Sequence, residues 1–319
     1  MRRQDYRMYG MALGVAGAVG FTLAAISAAA EWLPRREDLR PDDVALPEAR
    51  YLDVAGKSVA FTEQGCGETA LILLHGFSCD MRSWHAVQPL LSSTYRTIAI
   101  DLYGFGASAR PATLTPFDWM DEVIGVMDAL GIASAVFVGH SMGGRVAMMC
   151  AVHHPDRVQA LVLIDSDGLQ LLKATPFLWA AARRPLLRLA LRQLRESPER
   201  LRRFIARGYS DNFPVSEELT QRYERPLRVA GTENCWLHLA RSYPGMEMRV
   251  LLPAITSPAL LIWGADDRIT KIGYALKMAK ALSKVELVVL PHTGHLSHEE
   301  RPVAVDAHVR RFLTSLFPL

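Results

Sequence analysis

"AVFVGHSMGGRVAMM", residues 135–149, places one serine between two glycine-flanked turns, after an apolar run and before a helix-forming one. Residues 135–138 are β-branched, small or aromatic, the composition of a short buried strand. Residues 142–153 have the length and the Ala/Met content of a helix. Ser141 therefore stands on a strand-to-helix turn. Gly139 and Gly143 lie two residues to either side of it, where a bulky side chain would clash if the turn is sharp. This is the G-x-S-x-G pattern, in which a strained turn lifts a serine hydroxyl above the edge of a sheet. Small residues gather in many turns, so the pattern alone is a modest signal. The strand before it and the helix after it make Ser141 a candidate nucleophile.

Outward from this turn, "YLDVAG" and "KSVAFTEQG" read as two strands joined at Gly56, and "ALILLHGF" as a buried strand running into a loop. Further apolar runs follow at "YRTIAIDL", "QALVLIDS", "PALLIWGADD" and "VELVVLPHTGH", with helical pattern over residues 118–130, 142–153, 272–282 and 302–316. Strands alternating with helices predict an α/β fold with a mostly parallel eight-stranded sheet covered on both faces. The alternation breaks between Asp165 and Pro258, where the sequence is helix-like and proline-punctuated with no convincing strand. The simplest reading is a helical cap inserted over the sheet. The expected organisation is an N-terminal segment at 1–30, a linker at 31–50, the first part of the core at 51–168, a cap at 169–252 and the second part of the core at 253–319.

With 319 residues, half of them hydrophobic, the chain can bury a full core in one large domain, which excludes a disordered or fibrous protein. A net charge of +3 gives no global reason to expect nucleic acid as a partner. Cys66, Cys79, Cys150 and Cys235 have irregular spacing, with no zinc pattern and no disulfide-dense framework. A Cys66–Cys79 bridge is conceivable only in an oxidising compartment. Local basic charge is concentrated in the cap, where Arg184, Arg188, Arg192 and Arg195 share one helical face and Leu187, Leu191 and Leu194 another, with Arg200, Arg202, Arg203 and Arg207 following. A solvated face is the default reading, and contact with anionic lipid headgroups is the competing one.

Residues 8–30 contain no charged side chain and follow Arg2, Arg3 and Arg7. That length suffices for a helix to cross a hydrocarbon core of ~30 Å, so a signal anchor is expected. A signal peptide cleaved after Ala28-Ala29-Ala30 is the alternative, although the apolar stretch exceeds an ordinary signal core of about 7–15 residues. Arg35, Arg36 and Arg40 follow the span, so charge fixes its orientation only weakly. The reading taken is amino terminus inside and globular domain outside. Residues 31–50, charged and broken by Pro34, Pro41 and Pro47, read as a tether.

In open α/β sheets ligands lie beyond the carboxyl ends of the strands. Three of the predicted strands end in groups that hydrolytic chemistry uses: Ser141, the acidic pair Asp266 and Asp267, and His295. A hydroxyl becomes a nucleophile when a base takes its proton, and that base needs an acceptor to hold its ring and stabilise the imidazolium.

On "LLHGF" (73–77), "DLYGFGAS" (101–108), "GHSMGG" (139–144), "WGADDRI" (263–269) and "GHLSHEERP" (294–302), residues 51–319 resemble the α/β-hydrolase family. Within it the chain is similar to membrane-anchored serine esterases and monoacylglycerol-lipase-like hydrolases. The resemblance implies Ser141 as nucleophile, Asp267 as acid and His295 as base, with the backbone N–H groups of Phe77 and Met142 forming an oxyanion hole. Asp266 and Asp165 remain alternative acids. His292, His295 and His298 recur every three residues, but the nearby carboxylates are scattered, so no metal is expected, and no cofactor is implied. His75 and Asp101 are expected to shape loops around the oxyanion hole, and His140 to orient the turn.

The activity this implies is hydrolysis of small-molecule carboxylic esters, lipid-like or of medium chain, through an acyl-enzyme. Haloalkane dehalogenases and epoxide hydrolases of this fold carry aspartate where Ser141 stands, which argues against both. A carbon–carbon bond hydrolase of the meta-cleavage type stays open, although it usually has Asn at the position of His140. So does a haloperoxidase-like activity. A membrane-tethered binding protein on a hydrolase scaffold is the non-enzymatic alternative.

Overall fold

The computed structural model describes residues 38–167, 192–242 and 248–317. Eight strands form one sheet: β1 (Arg50–Val54), β2 (Lys57–Gln64), β3 (Ala70–Leu74), β4 (Arg96–Ile100), β5 (Ala135–His140), β6 (Val158–Ile164), β7 (Ala259–Gly264) and β8 (Val285–Leu290). Their spatial order is β1-β2-β4-β3-β5-β6-β7-β8. β1 and β2 form an antiparallel hairpin, β2 lies antiparallel to β4, and every pairing from β4 to β8 is parallel. A strand inside a parallel sheet buries both faces and so reads as unbroken apolar sequence; "ALILL" and "AVFVGH" are buried at every position.

Alternation sends Ile72 and Leu74 of β3 to one face of the sheet and Leu71 and Leu73 to the other. The first face is covered by α1 (Pro116–Ala129), through Trp119, Val123 and Val126, and by α2 (Met142–His153), through Val146 and Met149. Between β6 and β7 come the cap helices α3 (Pro198–Ala206), α4 (Glu217–Leu227) and α5 (Thr232–Ser242). After β7 follow α6 (Ile272–Ala281), the short α7 (Ser297–Glu300) and α8 (Pro302–Leu316); α8 packs Val305, Val309 and Phe312 onto the second face beside Trp84.

Between β6 and β7 the described residues are mainly helical. Arg184 and Arg188 of the expected basic face, and Leu187 and Leu191 of the apolar one, lie outside those residues, as does the whole of 1–30. Arg192 and Arg195 do not form a solvated face: Arg192 is buried and paired with Glu233 at 3.3 Å, and Arg195 pairs with Asp38 and Glu196. Acidic neighbours from α5 and the N-terminal link draw these two side chains inward. Among the described residues no helix is long and apolar enough to cross a membrane. All four cysteines are free, Cys66 exposed and Cys79 buried near the Tyr223 hydroxyl, so the conceivable Cys66–Cys79 bridge is not formed.

Candidate active site

Ser141 follows the last residue of β5 and directly precedes α2, with φ 49° and ψ −114°. An L-residue pays strain for positive φ, so the conformation persists only where its surroundings enforce it. Here the Ser141 N–H donates to Ile164 O at 3.0 Å, and its carbonyl accepts from Gly144 N and Asp167 N, each at 3.0 Å. Close packing of the turn on β3 explains Gly143, where an added Cβ would meet Leu74 O at 2.1 Å. The turn is thus locked against the sheet and Ser141 is 8% exposed.

Asp267 and His295 come from the ends of β7 and β8, and the structure brings them together: His295 Nδ1 lies 2.8 Å from Asp267 Oδ2. With Nδ1–H donating to the carboxylate, Nε2 is left with the lone pair that a base requires. The other oxygen of Asp267 accepts from the backbone N–H groups of Ile269 at 2.7 Å and Thr270 at 2.9 Å. Thr270 Oγ1 donates to Asp267 Oδ2 at 2.7 Å. Asp266 is exposed, so of the two adjacent acids Asp267 meets the ring. Asp165 is aimed elsewhere: it accepts from Gly264 N at 2.7 Å and Ser297 N at 3.1 Å, tying the end of β7 to α7. Burial, with the Asp267 carboxylate nearby, holds the Asp165 carboxyl well above the usual carboxylate range.

His140 connects Ser141 to His295. Its Nε2 lies 2.9 Å from the His295 carbonyl and the two ring centroids are 4.9 Å apart. Burial and the neighbouring His298 and His295 push the His140 pKa well down, so the ring is neutral. His298 packs at a tilt against Trp84 with centroids 4.6 Å apart, whereas His292 is exposed, so the three histidines spaced by three do not converge.

The loop after β3 passes directly over the serine turn. A Cβ on Gly76 would lie 2.5 Å from His140 Nδ1 and 3.2 Å from Ser141 Cβ, so Phe77 begins within reach of Ser141. The N–H groups of Phe77 and Met142 have no hydrogen-bond acceptor among the described residues. His75 fixes this loop: Nδ1 lies 2.8 Å from Gly76 O, and Nε2 accepts from Leu102 N at 3.0 Å. Burial lowers the His75 pKa to about 4, so it stays neutral in that role. Asp101 braces the same region, accepting from Met81 N at 2.6 Å and Ala107 N at 2.7 Å. The Phe77 side chain is 42% exposed and leans on Trp236 of α5 at 4.3 Å and on Phe105 at 5.7 Å, an apolar wall beside the serine.

Sequence reasoning did not single out Thr270, Glu299 or Glu300. Glu300 accepts from Gly294 N at 2.8 Å and from Ser210 N at 3.1 Å, and the His295 N–H donates to Gly208 O at 2.7 Å, so cap residues 208–210 hold the histidine loop. The only sequence sign of this was the acidic pair in "HEERP".

Comparison with known proteins places this arrangement. The family model for the alpha/beta hydrolase fold matches residues 69–302. The chain is 30% identical over 272 residues to the uncharacterized hydrolase YugF of Bacillus subtilis (strain 168), covering 84% of this chain and 99% of that one. It is 28% identical over 281 residues to a 2-hydroxymuconate semialdehyde hydrolase of Pseudomonas sp. (strain CF600), covering 83% and 93%. Among solved structures it is similar to a thermophilic esterase from Thermogutta terrifontis, at 27% identity and a TM-score of 0.71, covering 84% and 98%. A mostly parallel eight-stranded sheet, a serine turn after β5 and a family match over most of its length lead to one conclusion: the chain belongs to the α/β-hydrolase family.

Proposed function

We propose that the protein is a serine hydrolase that cleaves carboxylic esters, lipid-like or of medium chain, with Ser141 as nucleophile, His295 as base and Asp267 as acid. The observation that carries this reading is the 2.8 Å Asp267–His295 contact, with His295 in turn touching His140, the neighbour of a serine held at positive φ. Ser141 Oγ attacks the ester carbonyl while His295 Nε2 takes its proton, and Asp267 stabilises the resulting imidazolium. The N–H groups of Phe77 and Met142, which have no acceptor among the described residues, stabilise the charge that develops on the carbonyl oxygen. Collapse releases the alcohol with the proton from His295 and leaves an acyl-serine. Water, activated by the same ring, then frees the acid. The apolar wall of Phe77, Phe105 and Trp236 supports an apolar acyl chain over a charged one.

Carbon–carbon bond hydrolysis is the second reading, and the similarity to a 2-hydroxymuconate semialdehyde hydrolase supports it. Fluorophosphonate labelling of the protein and of Ser141→Ala, followed by p-nitrophenyl esters of increasing chain length, tests both. Labelling confined to Ser141, with turnover that rises with chain length, is expected. Labelling that persists in the Ser141→Ala protein would refute the assignment, and labelling without ester turnover would favour the carbon–carbon reading.

The charge-free stretch 8–30 is proposed to anchor the chain in a membrane as a single span, with the catalytic domain on the outer side. Alkaline carbonate extraction should leave the full chain with the membrane pellet; its release would argue for cleavage or peripheral attachment.

A further inference from the structure

The described body begins at the cap. The Leu39 N–H donates to Arg228 O at 2.9 Å and its carbonyl accepts from Ala230 N at 3.0 Å, a short parallel bridge to the segment after α4. Asp38 forms an ion pair with Arg195. Residue 38 is thereby fixed on the cap, and only residues 31–37 separate it from the uncharged stretch that ends at residue 30. Fully extended, that link reaches about 25–30 Å. A body of about 280 residues has a radius of gyration of about 19 Å and hence a diameter near 50 Å. A bilayer holding residues 8–30 therefore lies on the cap side of the molecule, and the opposite end of the sheet is out of its reach.

One described face on that side has the chemistry of a headgroup contact. In α3 and its C-cap Arg207, Leu201 and Ile205 are buried, while Arg200, Arg203, Phe204 and Arg207 project together at i, i+3, i+4 and i+7 and are exposed, Phe204 to 40%. Residues 197–208 hold four arginines against one glutamate. Arg203 pairs with Glu199 at 2.7 Å in an exposed contact, and Arg202 Nε donates to Val215 O at 3.1 Å. Arg200 and Arg207 make no ion pair among the described residues. An aromatic ring set among arginines on an exposed face suits a surface that is anionic outside and apolar just beneath. α3 also leads into Gly208, whose carbonyl accepts from the His295 N–H at 2.7 Å, so the face adjoins the candidate site.

We propose that Arg200, Arg203, Phe204 and Arg207 dock the cap on the headgroups of an anionic phospholipid bilayer, so that the site receives its ester from the membrane. This rests on the anchor and ester readings above. Electrostatic attraction of roughly 1 kcal/mol per arginine near such a surface corresponds to about five-fold in affinity for each. The full chain, reconstituted in vesicles of phosphatidylcholine alone or mixed with phosphatidylglycerol, is compared with Arg200→Glu/Arg203→Glu/Arg207→Glu by amide hydrogen exchange. Exchange over residues 197–208 should slow about ten-fold on the anionic vesicles relative to the neutral ones, with no slowing in the triple variant. Turnover of a long-chain ester held in the anionic bilayer should fall several-fold in the variant, while a short soluble ester is hydrolysed as before. Equal exchange on both vesicles, or slowing that survives in the variant, overturns the docking face. A full chain that enters neither vesicle overturns the anchor and the face with it. Hydrogen exchange needs no turnover, so slowed exchange without ester hydrolysis counts against the esterase reading alone.

Discussion

His75 shows how one side chain can set the geometry of a site without touching the reacting atoms. Its two ring nitrogens bind Gly76 O and Leu102 N, and burial keeps the ring neutral down to about pH 4. His75→Phe would fill a similar volume and lose both bonds, freeing the loop that carries the Phe77 N–H. In the proposed oxyanion role of that N–H, outright loss of the donor would cost about 10²–10³ in kcat. We expect kcat for a short ester to fall about ten-fold or more, with KM nearly unchanged. Steady-state kinetics check this, and a rise in KM at constant kcat would show that His75 shapes binding instead. The turn at Ser141 and the approach of Asp267 to His295 were legible, because strand ends and the spacing of the quoted motifs place them in the sequence. The bond from Thr270 Oγ1 to the Asp165 carbonyl and the grip of His140 on the His295 carbonyl were not, because those contacts join residues brought together only by the order of β5, β6, β7 and β8.

Helices and strands follow the same division. The core strands and α1, α2, α6 and α8 are written in local period and composition, and the observed helix bounds differ from the expected ones by two residues or fewer. How the cap meets the core is not written locally. Glu299 of α7 accepts from Tyr209 at 2.8 Å and Tyr223 at 3.1 Å and pairs with Arg222 of α4, 77 residues away in sequence. Arg222 and Glu299 side chains are 19% and 2% exposed, so removing the carboxylate leaves a largely buried cation unpaired. Glu299→Ala should therefore destabilise the protein by about 3 kcal/mol, and Glu299→Gln, which keeps an acceptor for the tyrosines, by less. Urea denaturation measures both. Equal and negligible losses would mean that apolar packing of Leu201, Ile205 and Leu296 holds the cap without this ion pair.

Across the whole molecule the interior keeps several ionisable groups neutral. Burial lowers His75, His140 and His298, and raises Asp101 to about 7 and Asp165 and Glu122 above the carboxylate range. Glu122 gives the cleanest test because it lies on α1, away from the candidate site chemistry. Its Oε2 accepts from Tyr103 N at 2.9 Å and its Oε1 has no partner among the described residues. The folded carboxyl therefore retains a proton that the unfolded chain releases above its ordinary value of 4.5. The native state binds more protons in that window, so the stability this group contributes is complete below 4.5 and is lost as pH rises towards the folded value. The loss is about 1.4 kcal/mol for each pH unit within the window. Glu122→Gln cannot ionise: it carries the same buried polar atoms at every pH and escapes the pH-dependent loss. Melting temperatures of the two proteins between about pH 5 and pH 8 should therefore move apart, the variant gaining on the wild type as pH rises, by roughly 1–2 °C per kcal/mol for a chain of this size. A difference that stays constant across that range would show that Glu122 ionises in the folded state, with water or a shifted Lys57 supplying the compensation that the dry packing around Tyr103 does not.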